Sequence, residues 1–161
     1  MANKRSIQYI STEHTNIRRT VNSVGNAMTD LDTLFRLEAE RFNLSLAPLQ
    51  ILSEKSARLA KIIDNLWKDL KEHFSYEEEN LPDVLGDTLS KALKIEHAEI
   101  AREMEHVKNI LTNSSFDGLT QPEMLAKKAN LQQAIGKLCL MIEEHAKDED
   151  VIIKLVKKAT K

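Results

Sequence analysis

His73 is followed four residues later by Glu77, and His145 by Glu149. On an α-helix that spacing stacks two side chains on one face, one turn apart, where an imidazole and a carboxylate can grip one metal centre. A single such pair carries little weight. Two pairs, each continuing an apolar helical stripe, carry far more, and His14 and His97 lie on two further stripes of the same kind. The candidate ligands of a buried two-metal site are therefore His14, His73, Glu77, His97, His145 and Glu149. Imidazole and carboxylate without thiolate suit iron, manganese or zinc rather than copper(I) or an iron–sulfur cluster. Six protein ligands are too many for one tetrahedral zinc, and calcium or magnesium would take oxygens throughout. Two ions, each with two imidazoles and bridged by Glu77 and Glu149, would use every ligand, and an oxo or hydroxo bridge would complete the centre.

Four helices must position these groups. The first is expected to start at Ser11 or Thr12, after a lead-in up to Ile10, and carries His14, Ile17, Val21, Val24, Met28, Leu31 and Phe35 at steps of three and four. It fades near Arg41. Pro48 fits a first helical position, and the second stripe reads Leu52, Leu59, Ile63, Leu66, Leu70, His73, Glu77. Leu81-Pro82 and Gly86 break that helix, so the third is expected from Asp87 or Thr88, with Leu89 or Leu93, His97, Ile100, Met104, Val107 and Leu111 on its inner face. A turn-rich loop over Thr112–Gly118 precedes Thr120-Gln-Pro-Glu123, a capping box with proline just inside the helix. The fourth stripe reads Leu131, Ile135, Leu138, Ile142, His145, Glu149, Ile152, Val156. Four long amphipathic helices with short connections predict an all-α, antiparallel up-down-up-down four-helix bundle.

That topology makes the ligands converge. His14 and His97 lie early in the first and third helices, whereas His73 with Glu77 and His145 with Glu149 lie late in the second and fourth. In an up-down-up-down bundle those four positions share one end and one level. His106, nine residues after His97, falls on the opposite face at ~100° per residue and is read as a surface histidine. Taken singly, each histidine could be an ordinary core or boundary residue. Four histidines and two glutamates converging without metal would need an internal salt-bridge network, which is costly unless fully satisfied. A metal-free helical interaction bundle is the alternative of that kind. Met28 and Met104 read as core filler, Cys139 as inert and Tyr76 as off the Glu77 stripe. Every histidine is preceded by a glutamate, and these could orient neighbouring groups.

Composition limits the remaining possibilities. At 161 residues the chain is expected to form one domain over 1–161, with a single core. Net charge is −2 with both signs interspersed, so no footprint for nucleic acid or an anionic membrane is present. One cysteine excludes an internal disulfide and a thiolate zinc cluster. The polar stretch after Met1 and the lack of a long apolar run predict a cytoplasmic protein that neither is secreted nor spans a membrane.

In order, His14, then His73-x3-Glu77, then His97, then His145-x3-Glu149, one element per helix, resembles the hemerythrin-like proteins with the HHE cation-binding motif, over essentially the whole chain. The resemblance implies two iron ions in a non-haem, oxo- or hydroxo-bridged centre that binds O2 or a related small ligand such as NO or peroxide, or handles iron; zinc or manganese are further candidates. Oxygen-carrying hemerythrins have another histidine four residues after the third-helix one, where this chain has Ala101, which implies room for exogenous ligand at both irons and a small apolar cavity beside His97. They also carry an aspartate at i+5 on the last helix, where Asp150 here follows Glu149. The ligand set is thus closer to di-iron domains linked to nitric oxide stress and iron–sulfur repair, and to hemerythrin-like sensors. The amino-terminal domain common in the repair proteins is not expected. A di-iron redox enzyme is the competing expectation, with no catalytic residue singled out and the protein partner unknown.

Overall fold

The computed structural model describes residues 4–41, 46–112 and 120–159, the side chains of 30–52, Lys4 and Gln121 excepted. It holds four helices, α1 (Lys4–Arg41), α2 (Leu46–Asn80), α3 (Pro82–Thr112) and α4 (Gln121–Ala159), and no strand among the described residues. Each packs on the next, and α4 closes back on α1, so the four stand as a square. Cross-helix pairs fix the directions. Glu78 meets His97 while Asp64 meets Lys108, so α2 and α3 run antiparallel, as do α3 and α4 through Glu96–His145 and Glu103–Lys137. The expected up-down-up-down bundle is the observed architecture.

α1 begins earlier than expected. Ile7 and Ile10 continue the His14 stripe backwards at steps of three and four, and both are buried. Thr12, expected as a cap, is instead inside the helix and donates to the Gln8 carbonyl at 3.0 Å. α2 starts two residues before Pro48, which still lies in the first turn, where an amide N–H has no helical acceptor. Leu81 alone separates α2 from α3, and Pro82 opens the new helix. The break expected at Gly86 is present: with φ 77° and ψ 172° its backbone is not helical, so α3 is a short turn from Pro82 joined across a kink to the main helix that starts at Asp87. At α4 the capping box is formed in both directions: the Glu123 amide donates to Thr120 Oγ1 and the Thr120 amide to Glu123 Oε2. The expected loop after Thr112 lies outside the described residues, as do the side chains of the stripe positions Leu31, Phe35 and Leu52.

The inward stripes are those predicted, with Leu93 rather than Leu89 buried on α3 and Ile153 rather than Ile152 on α4. They build two apolar clusters. The larger one, including Leu66, Leu70, Ile100, Met104, Leu138 and Ile142, fills the body of the bundle. A smaller one, Ile7, Ile10, Leu81, Leu93 and Ile153, caps its end. Between the two, at the level of His14 and His97, the core turns polar.

Candidate metal centre

All six predicted ligands meet at that level, each 5 % exposed or less although surrounded by apolar side chains. Their donor atoms fall into two groups, His14, His73, Glu77, Glu149 and Glu77, His97, His145, Glu149, with every atom of a group within 4.8 Å of the others. The two glutamates belong to both. Within each group the two imidazole Nε2 atoms face one another at 3.1 Å. Nitrogens on neighbouring corners of an octahedron with metal–nitrogen bonds of ~2.1 Å would stand ~3.0 Å apart, so both could face one ion.

What surrounds the imidazoles fixes their tautomers. Each Nδ1 lies against a carboxylate, which only accepts, so Nδ1 carries the proton and donates while Nε2 turns inward. His73 donates to Glu13 at 2.5 Å, His97 to Glu78 at 2.9 Å, His145 to Glu96 at 2.5 Å and His14 to Asp150 at 2.8 Å. These four carboxylates form a ring: α1 holds the histidine of α2, α2 that of α3, α3 that of α4, and α4 that of α1. On α1 and α3 the residue just before the ligand serves; on α2 and α4 it is the residue just after Glu77 or Glu149. The alternation follows from geometry, because neighbouring helices run oppositely and a step of ~100° points to the same rotational side only if its sign alternates. Carboxylate–imidazole pairs of this kind orient metal-binding histidines. Asp150 is also bound by Arg18 at 2.6 Å.

Glu77 and Glu149 are left over. None of their four carboxylate oxygens has a hydrogen bond of ordinary geometry, though all four are buried. They stand against the inward nitrogens of His73 and His145 and, at 3.5–3.9 Å, those of His14 and His97. Two unpaired carboxylates in a core are strongly disfavoured unless positive charge compensates them. Without metal, protons are the available charge. Burial opposes protonation of His14, but Glu149 and Glu77 outweigh it and push its pKa up to about 10. His145 is likewise pushed up to about 9, against burial, by Glu149 and Glu96, and His73 is raised by Glu77 and Glu13. Burial would raise Glu77, but Glu149 and three imidazoles hold its carboxyl below the usual range. The donor set fits metal cations: inward nitrogens and oxygens, no thiolate, and negative charge awaiting a counterion.

The two halves differ in one residue that sequence patterning missed. Phe74 is buried off the ligand stripe, stacked on His97 with centroids 3.9 Å apart and edge-on to His145 at 5.6 Å. Tyr76 lies on the other flank, where it packs against Tyr9 at 4.4 Å and contributes to the end cap. His106 is exposed, as expected; Glu103, which completes with it the Glu-x-x-His spacing used in ferritin-like carboxylate centres, is half-buried and pairs with Lys137 on the flank of α3, away from the other histidines. Met28 and Met104 are core. Cys139 is a half-buried thiol whose pKa burial pushes up to about 11, so it stays protonated. A small cavity does lie beside His97, but it opens toward the bundle end and Ala101 is not among its walls.

The profile of the hemerythrin HHE cation binding domain matches residues 5–156, and the chain belongs to that family. Comparison with curated proteins and with solved structures gave no match. The family is one of cation-binding domains, and the buried histidine and glutamate groups could hold a metal. No helix among the described residues is long and apolar enough to cross a membrane.

Proposed function

We propose that the chain is a non-haem di-iron protein that binds or senses O2 or a related small ligand, NO or peroxide, or handles iron. The observation that carries this is the sharing of Glu77 and Glu149 by two four-donor groups. In this assignment His14 and His73 would hold one ion, His97 and His145 the other, and Glu77 and Glu149 would serve both. Each ion would then take two imidazoles and two carboxylates from the protein, fewer than the six ligands common for iron, which would allow an exogenous ligand to bind. Bound iron would supply redox-active, ligand-binding chemistry. The protein's contribution is to fix four tautomers through Glu13, Glu78, Glu96 and Asp150 and to exclude bulk water with the Ile7–Ile10–Leu81–Leu93–Ile153 cap.

Metal content of protein purified without chelator, with an optical spectrum in air, tests the assignment. About two irons per chain with oxo-bridge charge-transfer bands are expected, together with a melting temperature that rises when metal is bound. A colourless protein whose melting temperature is indifferent to metal would refute it in favour of a metal-free bundle. Catalytic turnover of peroxide, rather than stoichiometric reversible binding, would assign the same centre to a di-iron redox enzyme.

A further inference from the structure

Hydroxyl groups inside helices ordinarily donate to the carbonyl four residues back. In this chain Thr12, Thr15, Thr20, Ser23 and Thr112 do so, at 2.8–3.3 Å. Ser90 does not. Its Oγ is buried without a hydrogen-bond partner. The residue four back is Gly86, whose ψ of 172° turns its carbonyl away from the helical direction near −42°. The kink thus removes the acceptor that would otherwise occupy this hydroxyl.

The released hydroxyl lines a cavity of about 10 Å³ whose walls include Leu81, Pro82, Leu93, Glu77 and His97. That volume is at the threshold for one water-sized molecule. Glu77 and His97 are donors of the His97–His145 group, so the cavity abuts that half of the centre. Leu81 and Leu93 belong to the apolar cap; of the two further polar walls, Glu78 accepts from His97 Nδ1 and Lys94 is an exposed side chain, which leaves the Ser90 hydroxyl as the buried donor there. Ser90 is therefore placed to donate into the space directly beside the centre, and its rotatable O–H can follow what sits there.

We propose that Ser90, freed by the Gly86 kink, is the hydrogen-bond donor to a diatomic ligand that carries partial negative charge on its outer atom and binds on the His97–His145 side. This rests on the di-iron assignment, and the test separates the two. Nitric oxide is bound to the anaerobic ferrous protein, and its release is followed by stopped-flow absorbance and electron paramagnetic resonance. Wild type and Ser90→Ala are both expected to carry two irons. Release from one of the two sites should be about fivefold faster in Ser90→Ala, the equivalent of ~1 kcal/mol for one hydrogen bond. Release from the other site should not change. The melting temperature of metal-free Ser90→Ala should not fall, because no protein hydrogen bond is lost. Unchanged release from Ser90→Ala at full iron content overturns the role of Ser90 and leaves the di-iron assignment standing. A fall in metal-free melting temperature also overturns it, by revealing a structural partner for the hydroxyl. A wild-type protein that takes up no iron removes both.

Discussion

Glu77 and Glu149 are shared by both donor groups, whereas each histidine serves one. A conservative change at Glu77 should therefore cost two ions, and a change at His145 only one. Glu77→Gln keeps the side-chain volume and removes the charge that a bridging carboxylate provides. A site filled at 100-fold over its Kd stabilises the native state by ~2.7 kcal/mol, so two sites give ~5.4 kcal/mol. For a chain of this size 1 kcal/mol shifts Tm by ~2–4 °C, so metal should raise wild-type Tm by ~11–22 °C over the chelated protein. His145→Ala should keep about half of that increment, and Glu77→Gln almost none. Differential scanning calorimetry of each variant, with and without metal, gives the increment free of the mutation's effect on the bare fold, and elemental analysis gives the stoichiometry alongside. Equal increments for His145→Ala and Glu77→Gln would refute the sharing of the glutamates, whatever the metal proves to be.

The metal-free protein should lose stability as pH rises from about 6.5 through 9 to 10. The folded pKa values of His145 and His14, about 9 and about 10, lie above the ordinary 6.5, so their contribution is complete below 6.5 and vanishes as they deprotonate. Glu77, held below its ordinary 4.5, acts oppositely, and its contribution is lost as pH falls below that value. Metal-loaded protein should lack the alkaline decline, since a coordinated imidazole nitrogen holds no proton; melting curves across pH 4 to 10 in both states check this. Gly86→Ala should lower Tm by ~2–12 °C with metal content unchanged, because open space surrounds the position and only the backbone, at φ 77° and ψ 172°, resists a side chain, at a cost of ~1–3 kcal/mol.

The bundle and the convergence of the six inward side chains were legible because both depend on a single period. Steps of three and four carry apolar and ligating residues alike, and antiparallel order then sets which ends coincide. The same period, followed two steps back from His14, would have included Ile10 and Ile7; the lead-in assigned there reflects the preference for Ser11 or Thr12 as caps. Thr12 shows why that preference misled, since its hydroxyl satisfies a carbonyl within the helix. The carboxylate ring was half visible. Glu13 and Glu96 precede histidines and do orient others, but Glu72 and Glu144 precede them too, and α2 and α4 use Glu78 and Asp150 instead. Only the alternation of helix direction separates these cases. Phe74 carries no periodic signal because it packs beside the stripe rather than on it. The role of Gly86 lies in one dihedral angle that displaces a carbonyl, and no side-chain pattern encodes it.

The charged flanks bear on which of two mirror-related arrangements the helices adopt. Turning leftward or rightward around the square, four antiparallel helices could bury the same stripes and bring the same six ligands together, so apolar patterning alone chooses weakly between them. The carboxylate ring does not break that degeneracy. In the opposite hand Glu13 would turn toward α4 and its His145, Glu78 toward His14, Glu96 toward His73 and Asp150 toward His97, so every imidazole would again face an acceptor. Pairs with a partner on one neighbour only have no such substitute: Arg18 on Asp150, Lys108 on Asp64 and Lys137 on Glu103 would all come apart. The ring thus orients the imidazoles in either hand, and the choice of hand falls to the charged pairs on the flanks.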